Sequence, residues 1–336
     1  MNKAYISAIS YYLPEYVLDN NELNALFPEW SADKISSKTG IYKRHIAASD
    51  EFSSDMAIKA AENLFLEHNL DRKIIDYIIL CTQSPDYHLP TTACILQDKL
   101  GISTSCGALD INLGCSGYIY GLSLAKGLIS ANIASNVLLI TSETYSKYIQ
   151  YSDKSNRTIF GDGASATLIN SIKGFCEIGD FVLGTDGSGK DNLIVKNGGS
   201  KHLNSSFAAV EPLEDESIIR DDYLFMNGSE IFNFTAKAVP DMINKILSKN
   251  GLLLSDINLF IFHQANEFML NFIRKKIGIP EEKFFLFLEN CGNTVSSTVP
   301  IALYEAIKSK KTNNGDLMIL AGFGVGYSWG SVLVQF

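Results

Sequence analysis

The chain has 336 residues, of which 46% are hydrophobic and 19% are charged, and its net charge is −9 at pH 7. This composition is typical of a globular protein with a large core, and the length predicts about two domains. The acidic balance argues against nucleic acid as the main partner. No apolar run approaches the ~18 residues of a membrane span, and the N-terminus lacks the apolar stretch of a signal peptide. We therefore expect a cytoplasmic protein with no membrane partner.

In chain order, short runs rich in Ile, Leu, Val and Phe alternate with segments of helical periodicity. The N-terminus predicts a first strand, and the later strand-like runs are 76–84, 136–143, 163–170, 258–265, 316–323 and 330–336. The helical segments are 55–68, 116–129, 231–249 and 298–308. Alternating strands and helices predict an α/β fold, and continuous apolar strands predict largely parallel sheets covered on both faces.

Three of the strand-like runs recur later in the chain in the same order. The offsets are 182 residues from 76–84 to 258–265, 180 from 136–143 to 316–323, and 167 from 163–170 to 330–336. One such pair is a common coincidence in α/β proteins, whereas three in order predict a duplicated fold. We expect two halves, 1–172 and 216–336. The segment 173–215 is polar and rich in glycine, which predicts an irregular connection between them.

Six cysteines are scattered along the chain and form no CxxC pair. They are Cys81, Cys94, Cys106, Cys115, Cys176 and Cys291. The spacing does not match a zinc site, and the sequence shows no site for a redox cofactor, so we expect neither. An even count permits three disulfides, but the cytosol keeps thiols reduced, so we interpret all six as free thiols.

Cys115 follows a strand-like run and precedes a helical pattern, with Gly114 and Gly117 on either side of it. This pattern predicts a cysteine at a helix N-terminus, where the helix dipole favours the thiolate and free backbone N–H groups can bind an oxyanion. Such a cysteine is a candidate nucleophile. The alternative is a buried structural cysteine, which is the more common fate of this residue type.

Two further residues are candidates for a site. His263 directly follows an apolar run, and ligands of α/β proteins bind beyond strand ends. Asn293 follows Gly292 and precedes a Ser/Thr cluster and a helix. The alternatives are a hydrogen-bonded edge histidine and an ordinary Gly-Asn turn. The glycine-rich segment 322–331 lacks the Lys and Ser spacing of a phosphate loop, so we interpret it as a hairpin that presents backbone amides.

Eight segments along the whole chain carry a resemblance to a known family. They are YLPEYVLDN at 12–20, KTGIYKRHIA at 38–47, LGCSG at 113–117, RTIFGDGASA at 157–166, MNGSEIF at 226–232, HQAN at 263–266, GNTVSSTVP at 292–300 and GFGVGYSWGSVLVQF at 322–336. In this order and spacing they resemble the 3-oxoacyl-acyl carrier protein synthase III family of the thiolase superfamily. The resemblance implies a five-layered αβαβα fold of two related halves, and a homodimer.

By this resemblance Cys115 is the nucleophile that accepts an acyl group, and His263 and Asn293 are its catalytic partners. The backbone amides of Cys115 and Val325 would form the oxyanion hole. The implied reaction is the decarboxylative condensation of an acyl thioester with malonyl-acyl carrier protein. In that reaction the Nε2–H of neutral His263 and the Asn293 amide stabilise an enolate.

The resemblance also implies binding residues. Leu89 stands where the family has a Phe, in the wall of the acyl tunnel that the dimer partner contributes, and Phe323 would line the same tunnel. Residues that would meet an acyl carrier protein or coenzyme A are Gln264, Ala265, Asn266, Glu267, Phe268, Arg274, Lys275, Lys276 and Lys38. Among these residues, Phe268 and Lys38 each stand where the family has an arginine. The basic run 274–276 is either a patch for an acidic carrier protein or an ordinary solvated helix end.

Several functions stay open from the sequence. The reaction could serve fatty acid synthesis or a specialised acyl-chain pathway, and the preferred starter would separate the two. A non-decarboxylative condensation of the thiolase type needs a second Cys or a Glu near the nucleophile, for which Cys291 is the residue to check. A catalytically idle paralogue that binds an active partner usually lacks a catalytic residue, whereas this chain has all three.

Overall fold

A computed structural model describes residues 2–172, 174–202 and 221–336 and shows strands and helices alternating along the chain. The strands are β1 (Tyr5–Tyr12), β2 (Tyr16–Asp19), β3 (Lys43–Ile46), β4 (Tyr77–Cys81), β5 (Gly107–Ile111), β6 (Asn136–Glu143), β7 (Gly163–Asn170), β8 (Cys176–Thr185), β9 (Leu193–Ile194), β10 (Phe225–Met226), β11 (Leu259–Phe262), β12 (Leu317–Gly324) and β13 (Ser328–Gln335). The helices are α1 (Asn20–Leu26), α2 (Ala32–Thr39), α3 (Ser53–Glu67), α4 (Thr92–Lys99), α5 (Gly117–Ser130), α6 (Lys154–Arg157), α7 (Gly228–Asn250), α8 (Glu267–Ile277) and α9 (Thr298–Lys308). The strand-like runs and helical segments of the sequence are confirmed, with shifts of a few residues at their ends.

Nine strands form one hydrogen-bonded sheet in the order β11-β12-β13-β8-β1-β7-β6-β4-β5. Within it β4 pairs in parallel with β5 and β6, and β11 pairs in parallel with β12. The other neighbours in this sheet pair antiparallel. The prediction of largely parallel sheets is therefore wrong. After β6 and after β12 the chain turns back alongside the strand instead of crossing over, and such a return produces antiparallel pairing.

The sheet has two halves with the same topology. The order β1-β7-β6-β4 is matched by β8-β13-β12-β11, with the same parallel and antiparallel pairings. In both halves the two strands that form the central antiparallel pair contain eight residues each. This repetition confirms the duplicated α/β fold that the recurring runs predicted.

Strand β8 lies inside the segment 173–215 that was expected to be irregular. Its ten residues belong to the sheet because they pair with β13 along most of their length, so the expectation is corrected there. Glycines and polar residues in this stretch hide the strand pattern in the sequence. Residue 173 and residues 203–220 lie outside the described part of the chain, and the boundaries of the halves 1–172 and 216–336 stay a prediction.

Helices α5 and α9 lie between the two halves of the sheet. One apolar cluster joins Ile119 and Leu122 of α5 and Leu303 of α9 to strand residues of both halves. Two further clusters pack α3 and α4 on the outer face of the first half, and α7 and α8 on the outer face of the second. The result is the five-layered arrangement of helices and sheets that the sequence implied. Within the described ranges, every helix is too short or too polar to cross a bilayer.

Candidate active site

Cys115 lies between β5 and α5, and Ser116 is the N-cap residue of the helix. Only 6% of Cys115 is exposed, and it packs in an apolar cluster with Tyr145 and Val295. Burial, and next the nearby Glu143 carboxyl, raise the pKa of the thiol to about 12. Desolvation disfavours the charged thiolate. The thiol of Cys115 is protonated at neutral pH.

Two glycines of β12 leave space for Cys115. A Cβ atom at Gly324 would lie 2.8 Å from the Cys115 Cβ and 3.0 Å from its Sγ. A Cβ atom at Gly322 would lie 2.6 Å from the Cys115 carbonyl oxygen. Non-bonded carbon atoms prefer separations of about 3.5–4.0 Å. Larger residues at these positions would therefore push the strand away from the cysteine.

His263 directly follows β11 and is 2% exposed. Its Nδ1 lies 2.7 Å from Oγ1 of Thr298, the first residue of α9. Its ring meets the Phe323 ring edge to face, with 5.7 Å between the ring centroids. Burial lowers the pKa of the imidazole to about 3, so the ring is neutral at physiological pH.

Asn293 is held in an irregular turn before α9. Its side-chain Oδ1 accepts a hydrogen bond of 2.9 Å from the N–H of Val295, which leaves Nδ2 as the end of the amide that can donate. Its backbone N–H donates to the carbonyl oxygen of Ile159, and its carbonyl accepts from the N–H of Gly161. Val295 has a φ of 55°, a left-handed conformation that is rare for a β-branched residue.

The turn 293–298 connects the three predicted catalytic residues. Val295 shares the apolar cluster with Cys115, and its N–H bonds to Asn293. Its carbonyl oxygen lies 3.0 Å from Oγ1 of Thr298, which contacts His263. The apolar cluster of Cys115 and the hydrogen bonds that lead to Asn293 and His263 therefore meet at Val295.

A cavity of about 770 Å³ lies beside this cluster. Tyr145, Leu193 and Leu224 line the cavity and also belong to the Cys115 cluster, and Val325 borders both. Val325 follows β12 directly and lies against Gly114, where an added Cβ would be 3.1 Å from its Cγ1. The volume and the mostly apolar and aromatic wall suit a small organic ligand.

Glu143 is a buried carboxyl group that the sequence analysis missed. It ends β6 with no exposed surface and accepts a hydrogen bond of 3.0 Å from the N–H of Gln83. The hydroxyls of Ser84 and Ser296 donate to it at 3.1 Å and 2.9 Å. Burial raises the pKa of this carboxyl to about 8. The available signal was an acidic residue at the end of an apolar run.

Several known proteins are similar to this chain in sequence and in fold. The family model of 3-oxoacyl-[acyl-carrier-protein (ACP)] synthase III matches residues 109–187, and the model of the C-terminal part matches residues 247–336. A beta-ketoacyl-[acyl-carrier-protein] synthase III of Clostridium perfringens is 38% identical over 335 residues, which cover all of both chains. The chain belongs to the 3-oxoacyl-acyl carrier protein synthase III family.

Solved structures agree with this membership of the synthase III family. A crystal structure of a 3-oxoacyl-(acyl-carrier-protein) synthase III is 50% identical and has a TM-score of 0.95, covering 99% of this chain and 100% of that one. A second synthase III, from Pseudomonas aeruginosa PAO1, is 30% identical with a TM-score of 0.86, covering 99% of this chain and 98% of the other.

Phe323 and Leu89, the two residues predicted to line the acyl tunnel, differ in the exposed fraction of their side chains. Phe323 is 2% exposed and lies beside His263. Leu89 is 82% exposed, although its neighbours Tyr87 and His88 line the cavity. A single chain therefore does not bring Leu89 into the Cys115 cluster, and its role in the tunnel stays a prediction that requires a second copy.

Gln264, Ala265 and Arg274 are buried, which contradicts their predicted surface contact with a carrier protein or coenzyme A. Gln264 has no exposed surface because its amide donates to the Phe262 carbonyl at 2.6 Å and accepts from the Phe287 N–H at 2.7 Å. Ala265 is 8% exposed.

Arg274 is also 8% exposed, and its guanidinium donates to the carboxylate of Glu281 at 3.0 Å. It therefore anchors the end of α8 instead of facing a partner. The predicted basic patch is reduced to Lys275 and Lys276.

The other residues predicted to contact a carrier protein or coenzyme A are at least partly exposed. They are Asn266, Glu267, Phe268, Lys275, Lys276 and Lys38. Phe268 is 66% exposed and stacks on Phe232 at the rim of a groove of about 470 Å³ between the starts of α7 and α8. This groove therefore presents aromatic rings at its rim.

Cys291 gives no support to a thiolase-type reaction. It is not among the described members of the Cys115 cluster, and its Sγ lies 3.6 Å from the carbonyl oxygens of Phe287 and Gly292. Burial, and next Glu305, raise the pKa of this thiol to about 12. All six cysteines are free. In the described part of the chain, no group of three or more His, Cys, Asp or Glu side chains is placed to hold a metal ion.

Proposed function

We propose that the protein joins an acyl group held on Cys115 to a malonyl unit delivered by acyl carrier protein, with loss of CO₂. The observation that carries this proposal is the turn 293–298, which shares an apolar cluster with the Cys115 thiol and is hydrogen-bonded to neutral His263 and Asn293. A cavity of about 770 Å³ borders the same cluster. The names of the relatives, which are beta-ketoacyl-acyl carrier protein synthases III, support the same reaction.

In the first half-reaction, the Cys115 sulfur attacks the carbonyl carbon of an acyl thioester. The C–S bond to the donor breaks, and the thiol proton leaves with the donor thiol. The backbone N–H groups of Cys115 and Val325 would hold the oxyanion. Since burial raises the pKa of the Cys115 thiol, the thiol must lose its proton during this attack.

In the second half-reaction, the bond between the malonyl carboxylate and its methylene carbon breaks and CO₂ leaves. The electron pair forms an enolate, whose oxygen requires hydrogen-bond donors. Asn293 Nδ2 and His263 Nε2 would be these donors. The enolate carbon then attacks the acyl carbonyl, and the released Cys115 thiolate takes a proton from water.

The partners of this reaction extend the proposal. We infer a homodimer in which the exposed Leu89 loop of each copy enters the tunnel of the other, because 82% of Leu89 is exposed in one chain. The exposed Lys275 and Lys276 would meet an acidic carrier protein, and Lys38 and the residues 266–268 would border the same entrance. Coenzyme A is a further candidate donor of the starter, and a cytoplasmic location stays a prediction.

The test is intact-protein mass spectrometry after incubation with acyl-coenzyme A and acyl-carrier thioesters. We expect one class of thioester to add its acyl mass to the wild type and to Cys291→Ala, a matched buried thiol, but not to Cys115→Ala. Equal labelling of Cys115→Ala, or no labelling of the wild type by any thioester, would contradict the proposal.

The same samples distinguish the remaining functions. Acetyl transfer favours a role at the start of fatty acid synthesis, whereas exclusive use of longer acyl groups favours a specialised pathway. Addition of malonyl-acyl carrier protein should release the 3-oxoacyl product and CO₂. A product formed from an acetyl thioester in place of the malonyl thioester would instead indicate a thiolase-type condensation.

A further inference from the structure

The hydroxyl group of Thr298 lies within hydrogen-bond distance of two groups, a ring nitrogen and a carbonyl oxygen. It is 2.7 Å from Nδ1 of His263 and 3.0 Å from the carbonyl oxygen of Val295. A threonine hydroxyl has a single hydrogen, so it donates to only one of them at a time. Thr298 and His263 are both 2% exposed, which keeps bulk water from competing for these bonds.

The direction of this bond decides which nitrogen of His263 carries its hydrogen. If the hydroxyl donates to Nδ1, the neutral ring must carry its hydrogen on Nε2. If the hydroxyl donates to Val295, it accepts from Nδ1–H, and Nε2 presents a lone pair. Only the first arrangement offers a donor to an enolate oxygen.

We propose that Thr298 is a positioning residue that sets the tautomer of His263 by donating its hydroxyl hydrogen to Nδ1. The inference rests on the proposed function, which needs a donor at Nε2 during decarboxylation. It is supported by the 2.7 Å contact, which places the Thr298 hydroxyl to donate to Nδ1. Thr298 therefore supports the second half-reaction and not the first, in which Cys115 acts on the thioester.

The fold holds this arrangement from both sides. Thr298 is the first residue of α9, where the backbone positions its side chain towards the end of β11. His263 is fixed by its backbone N–H, which donates to the carbonyl oxygen of Ala321 at 2.7 Å, and by the Phe323 ring. Because the ring is held in this way, a change at residue 298 alters the proton on His263 more than the position of the ring.

The test separates the two half-reactions in Thr298→Val, which keeps the shape of the side chain and removes the hydroxyl. Without that donor, Nδ1–H of His263 is free to donate to the Val295 carbonyl, so Nε2 loses its hydrogen. We expect condensation to fall by about 100-fold or more, the scale on which enzymes lose rate with one oxyanion donor. Acylation of Cys115, measured by mass spectrometry in a single turnover, should change by less than about threefold.

Two matched variants control for packing. Thr298→Ser restores a hydroxyl and should recover most of the condensation rate. Ser297→Ala removes the neighbouring buried hydroxyl, which bonds to Thr141 and to the Gly163 carbonyl instead of His263, and should preserve the ratio of the two half-reactions. Equal loss of both half-reactions in Thr298→Val, or no loss in either, overturns the proposal. Failure of the wild type to acylate Cys115 would instead contradict the proposed function.

A measurement on the wild type does not depend on any variant folding. The chain has five histidines, so ¹⁵N labelling of histidine gives few ring signals, and His263→Gln identifies those of residue 263. We expect a protonated, pyrrole-type Nε2 and an unprotonated Nδ1 at neutral pH. A protonated Nδ1 with an unprotonated Nε2 would overturn the assignment of the tautomer to Thr298.

Discussion

The two halves of the molecule share one backbone plan but differ in the residues at equivalent positions. The central helices α5 and α9 both begin after a serine, Ser116 at φ −87°, ψ −11° and Ser297 at φ −85°, ψ −8°. Strands β6 and β12 have eight residues each and hold the same place in the sheet. Equivalent backbone positions can therefore be compared residue by residue.

The residue before each serine contacts the end of the strand from the other half. In one case Cys115 packs against Gly324, the last residue of β12, and in the other Ser296 donates a hydrogen bond to Glu143, the last residue of β6. Glycine leaves space beside the first helix, whereas a carboxyl group fills the equivalent space beside the second. The duplicated fold thus provides one site that is open to a thiol and one that is closed.

The residues at the ends of the equivalent strands β4 and β11 also differ between the two halves. Cys81 ends β4 and its thiol lies 3.0 Å from the carbonyl oxygen of Leu113, just before α5. The equivalent position after β11 is His263, which contacts Thr298 at the start of α9. Each half directs a strand-end side chain to the start of its own central helix, but only the second half has a side chain suited to hydrogen bonding with a substrate.

The largest expected effect comes from closing the open site with Gly324→Ala. The added Cβ would lie 3.0 Å from the Cys115 Sγ and 2.8 Å from its Cβ, so the strand or the cysteine must move. We expect acylation of Cys115 to fall by about 100-fold or more, because a displacement near 1 Å has effects of that size on catalysis. Single-turnover mass spectrometry measures the rate.

Gly127→Ala, in the middle of α5, is the matched control for Gly324→Ala. A Cβ there would meet no atom within 4 Å, and alanine is the better helix former, so activity should stay unchanged and stability should rise by up to about 1 kcal/mol. Normal acylation of Gly324→Ala would show that the space beside Cys115 is not what distinguishes the two sites.

A smaller effect is expected from Glu143→Gln in the closed site. The folded-state pKa of Glu143 is raised to about 8 by burial, so the native protein holds a proton that the unfolded chain releases above its ordinary pKa of 4.5. The contribution of this group to the free energy of unfolding is therefore present at low pH and is lost as the pH rises through 8. The glutamine variant should lack this loss, on the order of a few kcal/mol.

Urea denaturation of the wild type and Glu143→Gln at about pH 5.5 and about pH 8.5 measures this difference. The variant should gain stability relative to the wild type as the pH rises. Glu282→Gln on the surface controls for the loss of one acidic residue and should show no such trend. If the difference in free energy of unfolding between the wild type and Glu143→Gln is the same at both pH values, the prediction is contradicted. The carboxyl would then have the same protonation state in the folded and unfolded chains.

Local patterns in the sequence were sufficient to single out two of the three catalytic candidates, Cys115 and His263. Gly114 and Gly117 flank a cysteine between strand and helix patterns, and His263 ends an apolar run, so both positions follow from short-range signals. The recurring runs likewise predicted the duplication, because the equivalent strands of both halves have apolar patterns that are visible in the sequence. Recognition of the family motifs was needed for Asn293, since a Gly-Asn pair alone indicates only a turn.

The same patterns could not predict which polar residues are buried. Gln264 bonds to the carbonyl of Phe262 and to the N–H of Phe287, and the latter contact depends on a chain segment more than twenty residues away. Arg274 finds its carboxylate partner only after α8 has ended and the chain has turned, at Glu281. Glu143 is buried where the two halves meet, and the other half of the fold supplies one of its hydrogen-bond donors, Ser296.

The smallest expected effect concerns two of the outer helices, α4 after β4 and α8 after β11. Lys275 and Lys276 are exposed at the end of α8, and Lys99 is exposed at the end of α4. Reversing both charges with Lys275→Glu and Lys276→Glu should raise the KM for malonyl-acyl carrier protein about three- to tenfold at low salt and less at high salt, because exposed charges mainly steer encounter. Lys99→Glu should leave KM unchanged. Equal effects of the two changes would show that α8 has no special part in docking and that the net charge alone matters.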